Sequence, residues 1–379
     1  MSDRIWLSSP HMGGNELKYI HQAFDENWVA PLGPNVNEFE KSLEKFLNHQ
    51  DVKIAALSAG TAALHLALIE CGVKYGDEVI CQSMTFSASA NPIAYQGAVP
   101  IFVDSEPETW NICPVALEEA IQDRISKGKK PKAIVAVHLY GMPFKVDEVM
   151  DVANRYEIPV IEDAAEALGS KYKDKYCGTF GRFGVLSFNG NKIITTSGGG
   201  ALVCHSENDK IKTVFLATQA RDDAPHYQHS HIGYNYRMSN ISAGIGRGQV
   251  EVLENRIEAR RSMTKFYAEL FSDIPGINVF EEPSKDFYSN HWLSAITIEP
   301  NQAGITRENL RLGLLDSNIE SRPLWKPMHL QPIFSDSPYY GGKVCEGLFD
   351  KGLCLPSGSN LTDQEKQRIE DSVLRLIGK

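Results

Sequence analysis

From about residue 53 the chain repeats one rhythm, a short apolar run followed by a helical pattern. "VKIAALS" is followed by "TAALHLALIECG", "DEVICQ" by "SASANPIAYQG", "VPIFVDSE" by "PVALEEAIQDRISKG" and "KAIVAVHLYG" by "VDEVMDVANRYE", before "IPVIED" closes the series. In the last of these helical patterns Val146, Val149, Met150 and Ala153 mark one face. Strands that are apolar along their length, alternating with helices, predict a largely parallel sheet covered on both faces. Such a sheet gathers its ligands at the carboxyl ends of its strands. With 379 residues, 42% of them hydrophobic, the chain can fill the core this requires.

A long helical pattern, roughly 247–272, changes the rhythm. Beyond it lie "GINVF", "HWLSAITIE", the helical "TRENLRLGLLDSN" and the strand-like "IESRPLW". The expectation is an α/β protein of two domains. Residues 1–250 form the large one, and 251–379 form a smaller C-terminal α+β domain. Thr362 and Glu365 have capping-box spacing, and Ile369, Val373 and Leu376 form the apolar face of the helix they open.

Charge and cysteine usage remove several classes of function. The net charge of -10 and the absence of Lys/Arg runs argue against nucleic acid, while leaving room for a small phosphorylated ligand. Seven dispersed cysteines without a CxxC pair predict reduced thiols, with neither a disulfide framework nor a metal site. "MSDRIWLSSPHMGG" has no apolar signal region, and no apolar run approaches the ~18 residues of a membrane span. The expectation is a cytoplasmic protein with no membrane partner.

Four features could carry chemistry, and each has an ordinary alternative. In "ALSAGTAALHLAL" a strand ends and Ser58, Gly60 and Thr61 open a helix, whose free N–H groups suit a phosphate; Ser and Thr are also common N-caps. In "IPVIEDAAEALG" alternation sends Glu162 and Asp163 to opposite sides of a strand end. Asp163 then either caps a helix or faces a heterocyclic nitrogen. In "FGVLSFNGNKIITTSGGGALV" the amine of Lys192, read as ending a strand, turns inward near Ser187 and three glycines; it either snorkels or has a covalent role. In "ESRPLWKPMH" Arg322, Trp325, Lys326 and His329 crowd together, either as surface charges around a buried ring or as a phosphate and sugar site. Taken together, a phosphate cradle, an Asp at a strand end and a sheltered lysine are what pyridoxal 5′-phosphate (PLP) requires. Its phosphate anchors it, an Asp keeps its ring nitrogen protonated, and a lysine binds it covalently.

The stretches "SAGTAALHLAL", "MTFSASANPI", "VIEDAAEALG", "SFNGNK", "GYNYRMSN" and "RPLWKPMH" resemble the DegT/StrS-type PLP-dependent nucleotide-sugar aminotransferases over essentially the whole chain. The resemblance implies the fold type I aminotransferase architecture and a homodimer with shared active sites. By position, Lys192 matches the Schiff-base lysine, Asp163 the pyridinium partner and Phe86 the aromatic stacked on the ring. Gly60, Thr61 and Ser187 match phosphate contacts, and Asn235 matches a phosphate ligand from the neighbouring subunit. Glu166 stands at a cofactor-contacting position where many relatives have His or Gln. "PHMGGNELKYI", "NWVAPLG" and "SFNGNKIITTSGGG" resemble the subgroup acting on UDP-4-keto-6-deoxy-N-acetylhexosamines. In that subgroup the segments matching Asn27, Trp28, Val29 and Ala30, and Arg322, Pro323, Leu324 and Trp325, with His329 nearby, line the sugar-nucleotide site. The implied reaction moves an amino group from L-glutamate to C4 of the keto sugar in bacterial glycan or exopolysaccharide biosynthesis. A sugar dehydratase and a non-catalytic regulator are the alternatives on the same fold. Lys192 argues against the dehydratases, which carry histidine there, and Lys192 with Asp163 argues against the regulator.

Overall fold

The computed structural model describes residues 3–47 and 52–378. Helices α1 (Glu16–Asp25) and α2 (Pro34–Leu47) precede the alternating segment. That segment supplies β1 (Lys53–Leu57), α3 (Gly60–Glu70), β2 (Glu78–Gln82), α4 (Asn91–Tyr95), β3 (Val99–Val103), α5 (Pro114–Ser126), β4 (Ala133–Val137), α6 (Val146–Arg155) and β5 (Val160–Asp163). A hairpin, β6 (Lys171–Tyr172) and β7 (Lys175–Tyr176), leads to β8 (Phe183–Ser187), β9 (Gly200–Cys204), α7 (Glu207–Ala217), α8 (Asn240–Val250) and α9 (Leu253–Phe271). The rest contains β10 (Ile277–Val279), β11 (Phe287–Tyr288), β12 (Ser294–Ile298), α10 (Pro300–Ala303), α11 (Arg307–Asp316), β13 (Arg322–Pro323), β14 (Tyr339–Tyr340), α12 (Val344–Lys351), β15 (Gly352–Leu355) and α13 (Asp363–Leu376).

The main sheet runs β1-β9-β8-β5-β4-β2-β3-β14. Its pairs are parallel except around β9, which lies antiparallel to both β1 and β8. Helices pack on both faces, so successive strand residues enter different cores. Val79 and Cys81 of β2 join one core, with Val135 of β4; Ile80 joins the other, with Ile134 and Ala136. That double burial explains why these strands read as continuous apolar runs.

A second sheet, β10-β12-β15-β13, is antiparallel and packs on α9, α11 and α13. The α13 capping box forms as spaced, and Ile369 and Val373 are fully buried beneath it. Two contacts tie distant parts of the chain together. Ile5 bridges Ile319 and enters the core of the second sheet, and β14 leaves that region to extend the main sheet beside β3.

Local differences from the sequence reading have physical causes. The single helical pattern of 247–272 is two helices broken at Glu251–Val252, where the Glu251 carboxylate is drawn to Asn15 and Tyr19 at the start of the chain. In "SASANPIAYQG" only a five-residue α-helix forms, after a short 3-10 turn. Of "IESRPLW" only Arg322 and Pro323 pair as strand, since Pro323 has no N–H to offer a ladder. Among the described residues no helix is long and apolar enough to cross a membrane.

Candidate active site

A cavity of about 760 Å³ opens at the carboxyl ends of the main-sheet strands. It takes Ser58 from the end of β1, Thr85 and Phe86 from beyond β2, Val137 from β4, Asp163 from β5, and Val185 and Ser187 from β8. Trp6 to Ser8, Trp292, Arg322, Pro323 and Trp325 close its other side.

One wall is the start of α3. The residue before its first turn is Ala59, in extended conformation, and no side chain caps the helix. Ser58 and Thr61 therefore do not act as N-caps, and the first-turn N–H groups stand beside the cavity. This arrangement suits an anion, through both free donors and the helix dipole. Close backbone approach builds it. A Cβ on Gly200 would lie 2.3 Å from the Gly60 nitrogen, and one on Gly60 would lie 3.1 Å from Ser187 Cβ. Glycine at both positions lets the α3 entrance rest directly on β8 and β9.

Glu162 and Asp163 separate as alternation requires. Glu162 is fully buried and accepts hydrogen bonds from His138 and from the Gly178, Phe180 and Gly181 N–H groups. It is a structural anchor. Asp163 faces the cavity; its Oδ2 accepts from Ser89 Oγ at 2.6 Å and its Oδ1 from the Ala165 N–H at 3.2 Å. No α-helix follows it, so it is not an N-cap.

Lys192 does not end a strand. β8 stops at Ser187, and the Lys192 N–H donates back to the Asn189 carbonyl in a turn. The turn, not strand alternation, carries the amine inward, where only 12% of the side chain is exposed. Nζ lies 3.2 Å from Glu166 Oε1 and 4.1 Å from the centre of the Trp292 ring. Arg260, fully buried, holds this turn in place: it donates to the Lys192 and Trp292 carbonyls and to Ser8 Oγ. Burial, with the Arg256 charge nearby adding to it, lowers its pKa to about 9.

Glu166 is buried, and its Oε2 accepts the Tyr140 N–H at 2.7 Å. Burial pushes its pKa up to about 7, against the pull of Lys192. Tyr140 has φ 54°, unusual for a bulky residue. Its ends are held by Glu166 and by the Trp325 N–H, which donates to the phenol oxygen.

The cavity thus brings together Gly60, Thr61, Phe86, Asp163, Glu166, Ser187, Lys192, Arg322, Pro323 and Trp325. Other sequence-derived candidates lie elsewhere. Leu324 faces the core, opposite to its neighbours Pro323 and Trp325. His329 bonds Ser83 Oγ and stacks on Tyr339, away from the cavity. Asn27, Trp28, Val29 and Ala30 lie on the surface between α1 and α2, where the Trp28 and Ala30 carbonyls accept from Asn240. Asn235 is exposed; its backbone bridges Thr218 of its own chain, and it does not line this cavity. Sequence reasoning missed Trp292, Ser89, Arg260 and the Trp6–Ser8 segment. Of these only Ser89 lay within a stretch tied to the cofactor; the others come to the cavity through long-range packing.

A family model described as the DegT/DnrJ/EryC1/StrS aminotransferase family matches residues 10–374. The chain belongs to this family. It is 50% identical, across 100% of its length and 97% of the relative's, to "Putative pyridoxal phosphate-dependent aminotransferase EpsN" of Bacillus subtilis (strain 168). It is 38% identical, with 97% of each chain covered, to GDP-perosamine synthase of Escherichia coli O157:H7. Among solved structures, a DegT DnrJ EryC1 StrS aminotransferase from Brucella abortus matches with a TM-score of 0.88 and 30% identity, covering 96% of both chains. The DegT/DnrJ/EryC1/StrS family fold is therefore an α/β one with a mostly parallel central sheet, as the strand rhythm predicts.

Proposed function

We propose that the protein transfers an amino group from L-glutamate to C4 of a nucleotide-linked 4-keto-6-deoxy sugar, with a UDP-linked N-acetylhexosamine as the favoured acceptor. The observation that carries this reading is one cavity holding a sheltered lysine, a strand-end aspartate and an uncapped helix start. Pyridoxal phosphate is the cofactor, and the residues present suit it. The α3 entrance and Ser187 would take the phosphate, Asp163 the ring nitrogen and Phe86 the ring face. When bound, the cofactor supplies an electron sink for the carbon that loses or gains a proton.

The chain's own residues supply the rest. Lys192 would hold the cofactor covalently, and its amine when free would move a proton to and from the reacting carbon. Asp163 is held by Ser89 and the Ala165 N–H, so its carboxylate is oriented before any ligand arrives. Arg322, anchored by Glu320 at 2.7 Å, and the exposed ring of Phe86 stand at the cavity mouth, where a nucleotide sugar would enter. We further propose a domain boundary near residue 250.

Purified protein given glutamate and a panel of UDP-, dTDP- and GDP-linked 4-keto sugars tests the reading by mass spectrometry. A 4-amino product with release of 2-oxoglutarate is expected. GDP-linked sugars belong in the panel because one relative is named GDP-perosamine synthase. A dehydrated, unaminated product would instead establish the lyase reading, and no half-reaction with glutamate would favour a regulator.

We also propose that each site is completed by a second copy of the chain, with Asn235 reaching the partner's phosphate position. Its exposure and its absence from the lining of its own chain's cavity support this. Mixing a Lys192→Ala chain with an Asn235→Ala chain is expected to restore activity, because the hybrid has one site with both residues intact. A hybrid shown to form by differential tagging, yet inactive, would refute sharing.

A further inference from the structure

We propose that Glu166 is the group that accepts the ammonium proton of Lys192, making it a second catalytic group beside the lysine. The inference rests on Lys192 being the reactive amine. An ammonium has no lone pair, so the amine must lose a proton before it can attack a carbonyl carbon. The step is balanced within the pair: an N–H bond of the ammonium breaks, its electron pair stays on Nζ, and an O–H bond forms on Glu166 Oε1. A cation and an anion become two neutral groups.

The geometry designates this oxygen. Oε1 lies 3.2 Å from Nζ, while Oε2 is already occupied by the Tyr140 N–H. The peptide of Glu166 is itself held, since Asn290 Nδ2 donates to its carbonyl at 2.8 Å. The carboxyl group therefore has little freedom to leave the lysine. Burial favours the protonated form of the Glu166 carboxyl, because a carboxylate removed from water loses its hydration. The groups around the pair act in different directions. Asp163 and the burial itself raise the affinity of Glu166 for a proton, and Lys192 opposes them. The Tyr140 phenol and the Cys354 thiol, both pushed up by burial, face the same space as neutral groups. Arg260 reaches the Lys192 carbonyl from behind, and the Trp292 ring flanks the amine. Glu166 consequently titrates at about 7, where an ordinary carboxyl would be too weak a base for the task.

The test uses cofactor-free protein and needs no sugar substrate, so it is independent of whether the amino acceptor is correctly identified. Lys192 is labelled with trinitrobenzenesulfonate at a series of pH values, and the rate is read by peptide mapping. If the pair shares one proton, the reactive form is the tautomer with neutral lysine and protonated glutamic acid. Its population rises with pH until the pair loses its first proton, then holds constant. The labelling rate is therefore expected to climb and level off near pH 7. Glu166→Gln cannot take a proton and is expected to remove that break, so that labelling climbs steadily through neutrality. Glu166→Asp keeps a carboxyl and is expected to keep a break, displaced in pH. A wild-type profile without a break near 7, or the same break in Glu166→Gln, overturns the proposal. Should Glu166→Gln not fold, by circular dichroism and thermal melting, a break that Glu166→Asp leaves undisplaced overturns it equally.

Discussion

Lys192→Ala is expected to abolish covalent retention of the cofactor and to cost turnover at or beyond the upper end of the about 10²–10⁴-fold that a placed acid–base group supplies. Both of the roles proposed for the lysine would vanish together. The fold should survive, because the turn is held by backbone bonds and by Arg260 on the Lys192 carbonyl, and the substitution removes neither. Loss of the amine leaves Glu166 buried without its cation. The sign of the consequence follows from its already raised pKa of about 7. Without Lys192 that value rises further, so the group becomes a neutral acid across the physiological range. No buried bare charge is left behind to unfold the protein. Borohydride reduction of wild-type holoenzyme followed by peptide mapping locates the attachment site. Label on any lysine other than Lys192 would sink the assignment.

Asp163→Asn is expected to weaken cofactor binding and slow turnover by about 10²-fold or more, the usual consequence of removing an oriented electrostatic stabiliser. The Asp163 carboxylate already accepts from Ser89 Oγ and the Ala165 N–H and has lone pairs left for a protonated ring nitrogen. Asparagine offers one oxygen and an N–H₂ group. If its oxygen serves the ring, the amide donors face Ser89 or Ala165; if it serves them, the donors face the ring N–H. A carboxylate also carries the charge that keeps that proton in place. Cofactor affinity by absorbance titration and steady-state turnover are the measurements. Turnover within about a factor of two of wild type would rule out the role.

Much of this architecture was legible because it is written in local periodicity. Strands buried on both faces need apolar residues at every position, so β2, β4 and β5 announce themselves, and the strand-end acids follow from alternation. The α3 entrance was legible in part: Ser58, Gly60 and Thr61 mark the start of a helix, but only the folded chain reveals that Ser58 and Thr61 leave it uncapped. The position of Lys192 was read correctly as sheltered and for the wrong reason. Its inward path comes from the Asn189 turn and from Arg260, a residue of α9 whose long-range bonds have no local signature. Trp292 was invisible for the same reason. Leu324 and His329 show the opposite failure, where closeness in sequence to Arg322 and Trp325 suggested a shared surface that chain alternation and the Ser83 bond do not provide.

The strand β14 has a bearing on how the molecule can be made. Until the segment around Tyr339 and Tyr340 arrives, β3 is the outer strand of the main sheet, and the Phe102 and Asp104 N–H groups that the Pro338 and Tyr340 carbonyls later accept are unmatched. Ribosomal synthesis delivers the large sheet long before the segment that covers this flank. During that interval the nascent chain presents a ready template for another copy in the same condition, the situation in which intermediates of large proteins associate wrongly. Truncating the chain ahead of Pro338 would make that transient condition permanent. The short, two-residue β14 thus acts as a late seal on the edge of a sheet whose chemistry is carried by other strands.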